Sequence, residues 1–120
     1  MGKTEASTVL EKEDTIAIYG SNEFAAKAII NANGGFKESK LGADKILAVG
    51  FDSGALQQDA IRKGIFVGSV TQDPVQIGYQ AVKLAIAAAK GETVKDVDTG
   101  SKWYDAKNID SEEIKALLYE

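Results

Sequence analysis

The chain has 120 residues, 44% of them hydrophobic, and a formal charge of −4 from 14 basic and 18 acidic side chains. That length sets one domain at most, able to bury roughly two-thirds of the surface its unfolded form exposes. No basic run offers nucleic acid or an acidic membrane a footprint, and the lack of Cys and His removes disulfides, thiolates, imidazole pairs and the usual zinc ligands, so non-catalytic classes lead.

Apart from Met1, residues 1–14 are polar, with Val9 and Leu10 their only large apolar side chains. They read as a flexible or short helical N-terminal segment that carries no site. They hold no charged start followed by an apolar core of signal-peptide type, and no apolar run approaches bilayer length. The chain as written is therefore expected in the cytoplasm, without direct membrane insertion.

The first strand is predicted over 15–19, where Thr15-Ile16-Ala17-Ile18-Tyr19 runs into Gly20-Ser21-Asn22-Glu23. A helix over 22–33 follows, with Phe24, Ala28, Ile29 and Ala32 at helical spacing, Ser21 as N-cap and Asn33-Gly34-Gly35 as the stop. After a polar loop at 36–44, the second strand spans 45–51 and ends in Asp52-Ser53-Gly54. Its helix, over 54–63, turns Leu56, Ala60 and Ile61 inward and closes at Gly64.

A third strand over 65–70 leads into Thr71-Gln72-Asp73-Pro74. Asp73 as N-cap, Pro74 in the first turn and Gln76 as capping-box partner mark the start of the best-signalled helix. Val75, Tyr79, Val82, Ala85, Ile86 and Ala89 form its apolar stripe, and Gly91 closes it. Residues 93–104 read as one extended segment ending in the aromatic pair Trp103-Tyr104, expected to pack on a neighbouring lobe or second subunit. Asp110-Ser111-Glu112-Glu113 opens a short last helix with Ile114, Leu117 and Leu118 on one face.

This alternation predicts an α/β fold, a parallel sheet with helices on both faces and right-handed crossovers. Three strands make a small sheet with apolar edges. Such edges recruit a partner, and a homodimer through the sheet edges or the hinge-like segment is one expected outcome.

In open α/β sheets, function sits at the carboxyl edge of the strands. Each strand here ends in a polar side chain: Asn22, Asp52 and Gln72. A bland role competes at each position, since Asn22 and Asp52 could serve only as helix caps and Gln72 as a solvated turn residue. Nucleotide chemistry is disfavoured, because Gly50-Phe51-Asp52-Ser53-Gly54 lacks the dinucleotide spacing and no phosphate loop is present.

The motifs Tyr19-Gly20-Ser21-Asn22-Glu23-Phe24-Ala25-Ala26-Lys27-Ala28, Val49-Gly50-Phe51-Asp52-Ser53-Gly54 and Gly68-Ser69-Val70-Thr71-Gln72-Asp73-Pro74, followed by Gly78-Tyr79 and Lys90-Gly91-Glu92, closely resemble type I periplasmic sugar-binding proteins of ABC transporters. The resemblance covers about residues 15–115. It implies a non-catalytic substrate-binding component with two α/β lobes and a three-stranded hinge, closing on a monosaccharide or similar polyol and read by an ABC permease. Asn22, Asp52 and Gln72 match the family's ligand-binding positions in the second lobe, and no cofactor or metal is called for. An effector-binding domain of a lactose-repressor-type regulator is the nearest competitor, and a self-associating fragment without ligand activity is the third.

Only the carboxyl-terminal lobe portion is matched, so the resemblance divides the chain into the segment 1–14, a partial sugar-binding lobe over 15–97, and a hinge-like strand with a C-terminal helix over 98–120. It also implies an extracytoplasmic parent, periplasmic or at the cell surface.

Overall fold

A computed structural model describes residues 2–119. Helix α1 (Lys3–Leu10) precedes three strand-helix units: β1 (Ala17–Tyr19) with α2 (Glu23–Ala32), β2 (Leu47–Phe51) with α3 (Ala55–Arg62), and β3 (Gly68–Gln72) with α4 (Pro74–Ala89). Strand β4 (Ser101–Tyr104) and the single turn α5 (Glu112–Lys115) complete the order. The sheet runs β1-β2-β3-β4. The first three strands are parallel, as expected, and β4 returns antiparallel along β3.

The register explains which residues form the core. Ile18 pairs with Ala48, Gly50 with Ser69, and Ser69 with Tyr104, so these side chains share one face, against which α2 and α3 bring Ala26, Ile29, Ile30, Ala60 and Ile61. Phe66, Ile109 and Ile114 fill the same layer. Burying such side chains stabilises the fold by about 1.5–3 kcal/mol each.

The opposite face follows from the same alternation. Tyr19, Val49 and Gly68 lie in one row, and Phe51, Val70 and Trp103 in the next. Among the described residues no helix packs there, and Tyr19 and Trp103 are exposed. Helices on both faces were expected; the packed ones lie on one.

Helix α4 is the main departure in packing. Its start is as predicted, with the Asp73 carboxylate accepting from Gln76 N–H at 2.8 Å and Pro74 in the first turn. None of its residues is buried, however, and Val75, Tyr79, Val82 and Ile86 all face solvent. The stripe is real, but the surface that would cover it is not among the described residues. Conversely, the N-terminal segment is more ordered than its composition suggests, because α1 buries Ala6 and Leu10 against α2.

Smaller shifts have local causes. Asn22, not Ser21, caps α2. Only 101–104 of the extended segment joins the sheet. The aromatic pair is split by strand alternation: Trp103 lies on the open face over Gly68, while Tyr104 is wholly buried in the core.

Candidate functional site

Because β1, β2 and β3 are adjacent and parallel, their carboxyl ends lie in a row spanning roughly 10 Å. Asn22 follows β1, Asp52 follows β2 and Gln72 is the last residue of β3. The strand order thus brings the three sequence-predicted residues to one edge.

Asn22 is extended, and its Oδ1 accepts from Ala25 N–H at 2.8 Å. That bond occupies the carbonyl side of the amide and leaves Nδ2 as a donor. Asp52 has φ of 76°, the one positive-φ non-glycine among the described residues, in the left-handed region that Asp tolerates better than most side chains. Its Oδ2 accepts from Glu23 N–H, the first helical residue of α2, at 3.0 Å. Oδ1 has no hydrogen-bond partner among the described residues. A carboxylate there also sits at the positive end of the α2 dipole.

Gln72 is exposed and stands apart from this pair. With Asp73, Thr99, Gly100, Ser101 and Lys102 it lines a cavity of about 110 Å³ where β3 meets β4. No hydrogen bond links its side chain to Asn22 or Asp52. The row of strand ends, rather than direct contact, is what groups the three.

Sequence reasoning missed the supports beneath Asp52. Its carbonyl accepts from Tyr104 Oη at 2.7 Å and from Ser69 Oγ at 3.0 Å, and Gln57 Nε2 donates to Phe51 O at 2.8 Å. Burial pushes the Tyr104 hydroxyl up to about 12, so it remains a donor across the neutral range. The signal available in the sequence was Ser69 at alternate spacing from Thr71, two hydroxyls on one face of a strand that follows the apolar run Ile65-Phe66-Val67.

The carboxyl-terminal residues also reach this edge. Ser53 Oγ donates to Leu117 O at 3.5 Å, Gln58 Nε2 to Tyr119 O at 2.8 Å, and Tyr119 Oη to Glu23 Oε2 at 3.4 Å. Burial raises the Tyr119 hydroxyl as well. Glu23 is further tied to Lys27, one turn along α2.

A second hollow, of about 290 Å³, lies between α1 and α2 and is lined by Val9, Ile18, Tyr19 and Phe24. It is largely apolar and lacks the clustered hydrogen-bonding groups of the strand ends.

The family profile of the periplasmic binding protein domain matches residues 1–93. The chain belongs to this family. A comparison with curated proteins gives no match. Among solved structures, a protein from Brachyspira murdochii described as an ABC transporter, LacI family transcriptional regulator is 46% identical over 99% of this chain and 40% of its own length, with a TM-score of 0.85. A carbohydrate transporter solute-binding protein from Agrobacterium radiobacter, solved with D-arabinose, is 31% identical over 98% of this chain and 39% of its own, with a TM-score of 0.84. An ABC transporter solute-binding protein from Agrobacterium vitis, solved with D-fucose, is 27% identical over 98% and 40%, with a TM-score of 0.83.

The resemblance read from the motifs is therefore borne out: this is a periplasmic binding protein domain whose structural relatives include sugar-binding proteins of ABC transporters. The chain spans about 40% of the length of these relatives. Among the described residues no helix is long and apolar enough to cross a membrane.

Proposed function

We propose that the chain forms part of the second lobe of a non-catalytic, sugar-binding component of an ABC transporter, and that Asn22, Asp52 and Gln72 recognise the hydroxyls of a monosaccharide or similar polyol. The observation that carries this reading is the pairing at the first two strand ends. Asn22 keeps Nδ2 as a donor beside a helix N-terminus, and Asp52 keeps Oδ1 as an acceptor. A sugar hydroxyl both donates and accepts, so a free donor beside a free charged acceptor suits it.

In the whole protein, the sugar would be enclosed by groups from the other lobe, and the closed form would be the one read by a membrane permease outside the cytoplasm. The sugars bound by the two Agrobacterium relatives, D-arabinose and D-fucose, are the first ligands to try. A regulatory effector-binding domain is the second reading, favoured by the Brachyspira relative, whose description joins both classes.

The test is thermal unfolding with a millimolar panel of pentoses and hexoses. Binding confined to the folded state raises the midpoint by mass action, and Asp52→Asn should abolish the shift. A chain that unfolds cooperatively and shifts with no sugar would refute binding by this lobe portion alone.

A further inference from the structure

Three facts converge on one peptide group. Asp52 is left-handed, at φ 76°. Its carbonyl, at the buried side of the sheet, accepts from Tyr104 Oη of β4 at 2.7 Å and Ser69 Oγ of β3 at 3.0 Å, with a weaker approach by Gln57 Nε2 of α3 at 3.4 Å. Tyr104, Ser69 and Gln57 are each 0% exposed. On the other side of the same residue, Oδ2 holds Glu23 N–H.

A carbonyl has two lone pairs, and the two hydroxyls saturate them. With the Asp52–Ser53 peptide plane held from below, the direction in which the Asp52 side chain leaves the backbone is set from the core. A phenol that merely filled the core could use any acceptor. This one reaches from the antiparallel edge strand, across β3, to the carbonyl of the one positive-φ non-glycine among the described residues.

We propose that Tyr104 is a positioning residue for Asp52: its hydroxyl, with that of Ser69, locks the left-handed turn that aims the Asp52 carboxylate along the strand-end row. The consequence for ligand rests on the proposed role of Asp52, but the locking itself does not. It couples the strand that follows residues 91–100 to the carboxylate at the end of β2. Neither β1 nor β2 alone can supply that constraint.

The experiment is amide exchange by NMR on the whole chain, comparing wild type with Tyr104→Phe, Ser69→Ala and Ile30→Val. Glu23 N–H reports the carboxylate, while Ala26 N–H, bonded to Asn22 O, reports the same helix turn without it. In Tyr104→Phe, Glu23 should exchange five- to tenfold faster relative to Ala26, the factor of roughly one hydrogen bond. Ser69→Ala, which removes the second hydroxyl from the same carbonyl, should move the ratio in the same direction. Ile30→Val lowers overall stability away from Asp52 and should leave it unchanged.

An unchanged ratio in both hydroxyl variants overturns the proposal, as does an equal change in Ile30→Val. A parallel titration uses D-arabinose and D-fucose as probes, and where wild type binds, Tyr104→Phe should weaken affinity five- to tenfold. If wild type binds neither sugar, recognition of these two sugars by this chain alone fails, while the amide ratio still decides the role of Tyr104.

Discussion

Replacing Asp52 separates a backbone effect from a side-chain effect at one position. At φ 76°, an alanine costs about 1–2 kcal/mol in the left-handed region, whereas Asn and Gly are tolerated there. Losing the bond from Glu23 N–H adds about 1 kcal/mol, the figure for an ordinary hydrogen bond, because the pair is only partly buried. Asp52→Ala should then lose about 2–3 kcal/mol, Asp52→Gly about 1, and Asp52→Asn about 0.5–1, since an amide oxygen can still accept. At roughly 4 °C per kcal/mol for a chain of this size, the alanine variant melts about 8–12 °C lower. Urea unfolding followed by far-UV circular dichroism and by the fluorescence of the single tryptophan, Trp103, gives the series. Equal losses for Ala and Gly would refute the backbone contribution, and an Asn variant as damaged as Ala would refute the whole account. The order also decides which variant is fit for ligand work, since only Asn removes the charge while keeping the turn.

Gly20→Ala should destabilise by about 2–3 kcal/mol, because its Cβ would stand 2.7 Å from Ala26 N and 2.8 Å from Ala26 Cα, backbone atoms that cannot move aside; a variant as stable as wild type in urea would contradict this. Tyr104 is raised by burial to about 12 from 10.0, so folding binds its proton more tightly. The associated stability is complete below pH 10 and is lost on rising toward pH 12, by about 1–2 kcal/mol after allowance for screening. Tyr119 contributes in the same direction, and the difference between wild type and Tyr104→Phe in alkaline unfolding isolates Tyr104. On α4, Tyr79→Lys and Val82→Lys remove exposed apolar surface, so each should change stability by less than about 0.5 kcal/mol and lower any self-association in sedimentation equilibrium. A large loss of stability would show that α4 is packed in solution.

The strand-helix order was legible because each unit carries two independent signals, an apolar run and a helix punctuated at its start or its stop. Asp73-Pro74 and Asn33-Gly34 acted through local chemistry, and local chemistry is what a sequence displays. What failed to show was everything that depends on a neighbour. The stripe of α4 looks identical whether it is covered or bare, and helical periodicity says nothing about which. The split of Trp103 from Tyr104 required the β4 register against Val70 and Ser69, and the role of the Tyr104 hydroxyl required knowing that β4 turns back beside β3. The three strand ends could be proposed as a row from the repeated strand-and-polar-end pattern, but only the order β1-β2-β3 makes them adjacent.

At Asn22 and Asp52 a capping role and a ligand role compete in the sequence, and the geometry makes them compatible. A cap consumes one oxygen. Asn22 gives Oδ1 to Ala25 N–H, and Asp52 gives Oδ2 to Glu23 N–H. What remains, an amide donor and a carboxylate acceptor, is the complementary half of each side chain, now held in one rotamer by the bond the cap supplies. A free Asn or Asp on a loop would lose side-chain entropy on meeting a ligand. Here part of that loss has already occurred in folding, offset by satisfying two N–H groups of α2 that would otherwise lack partners. Truncating the Asn22 amide should therefore harm both properties together: Asn22→Ala should lose about 1 kcal/mol of stability and, if sugars bind, weaken them as well. Asn22→Ser, which caps through its hydroxyl but cannot offer the amide, should restore stability without restoring affinity. A serine variant that recovers both would show that the cap alone matters and that the amide faces no ligand.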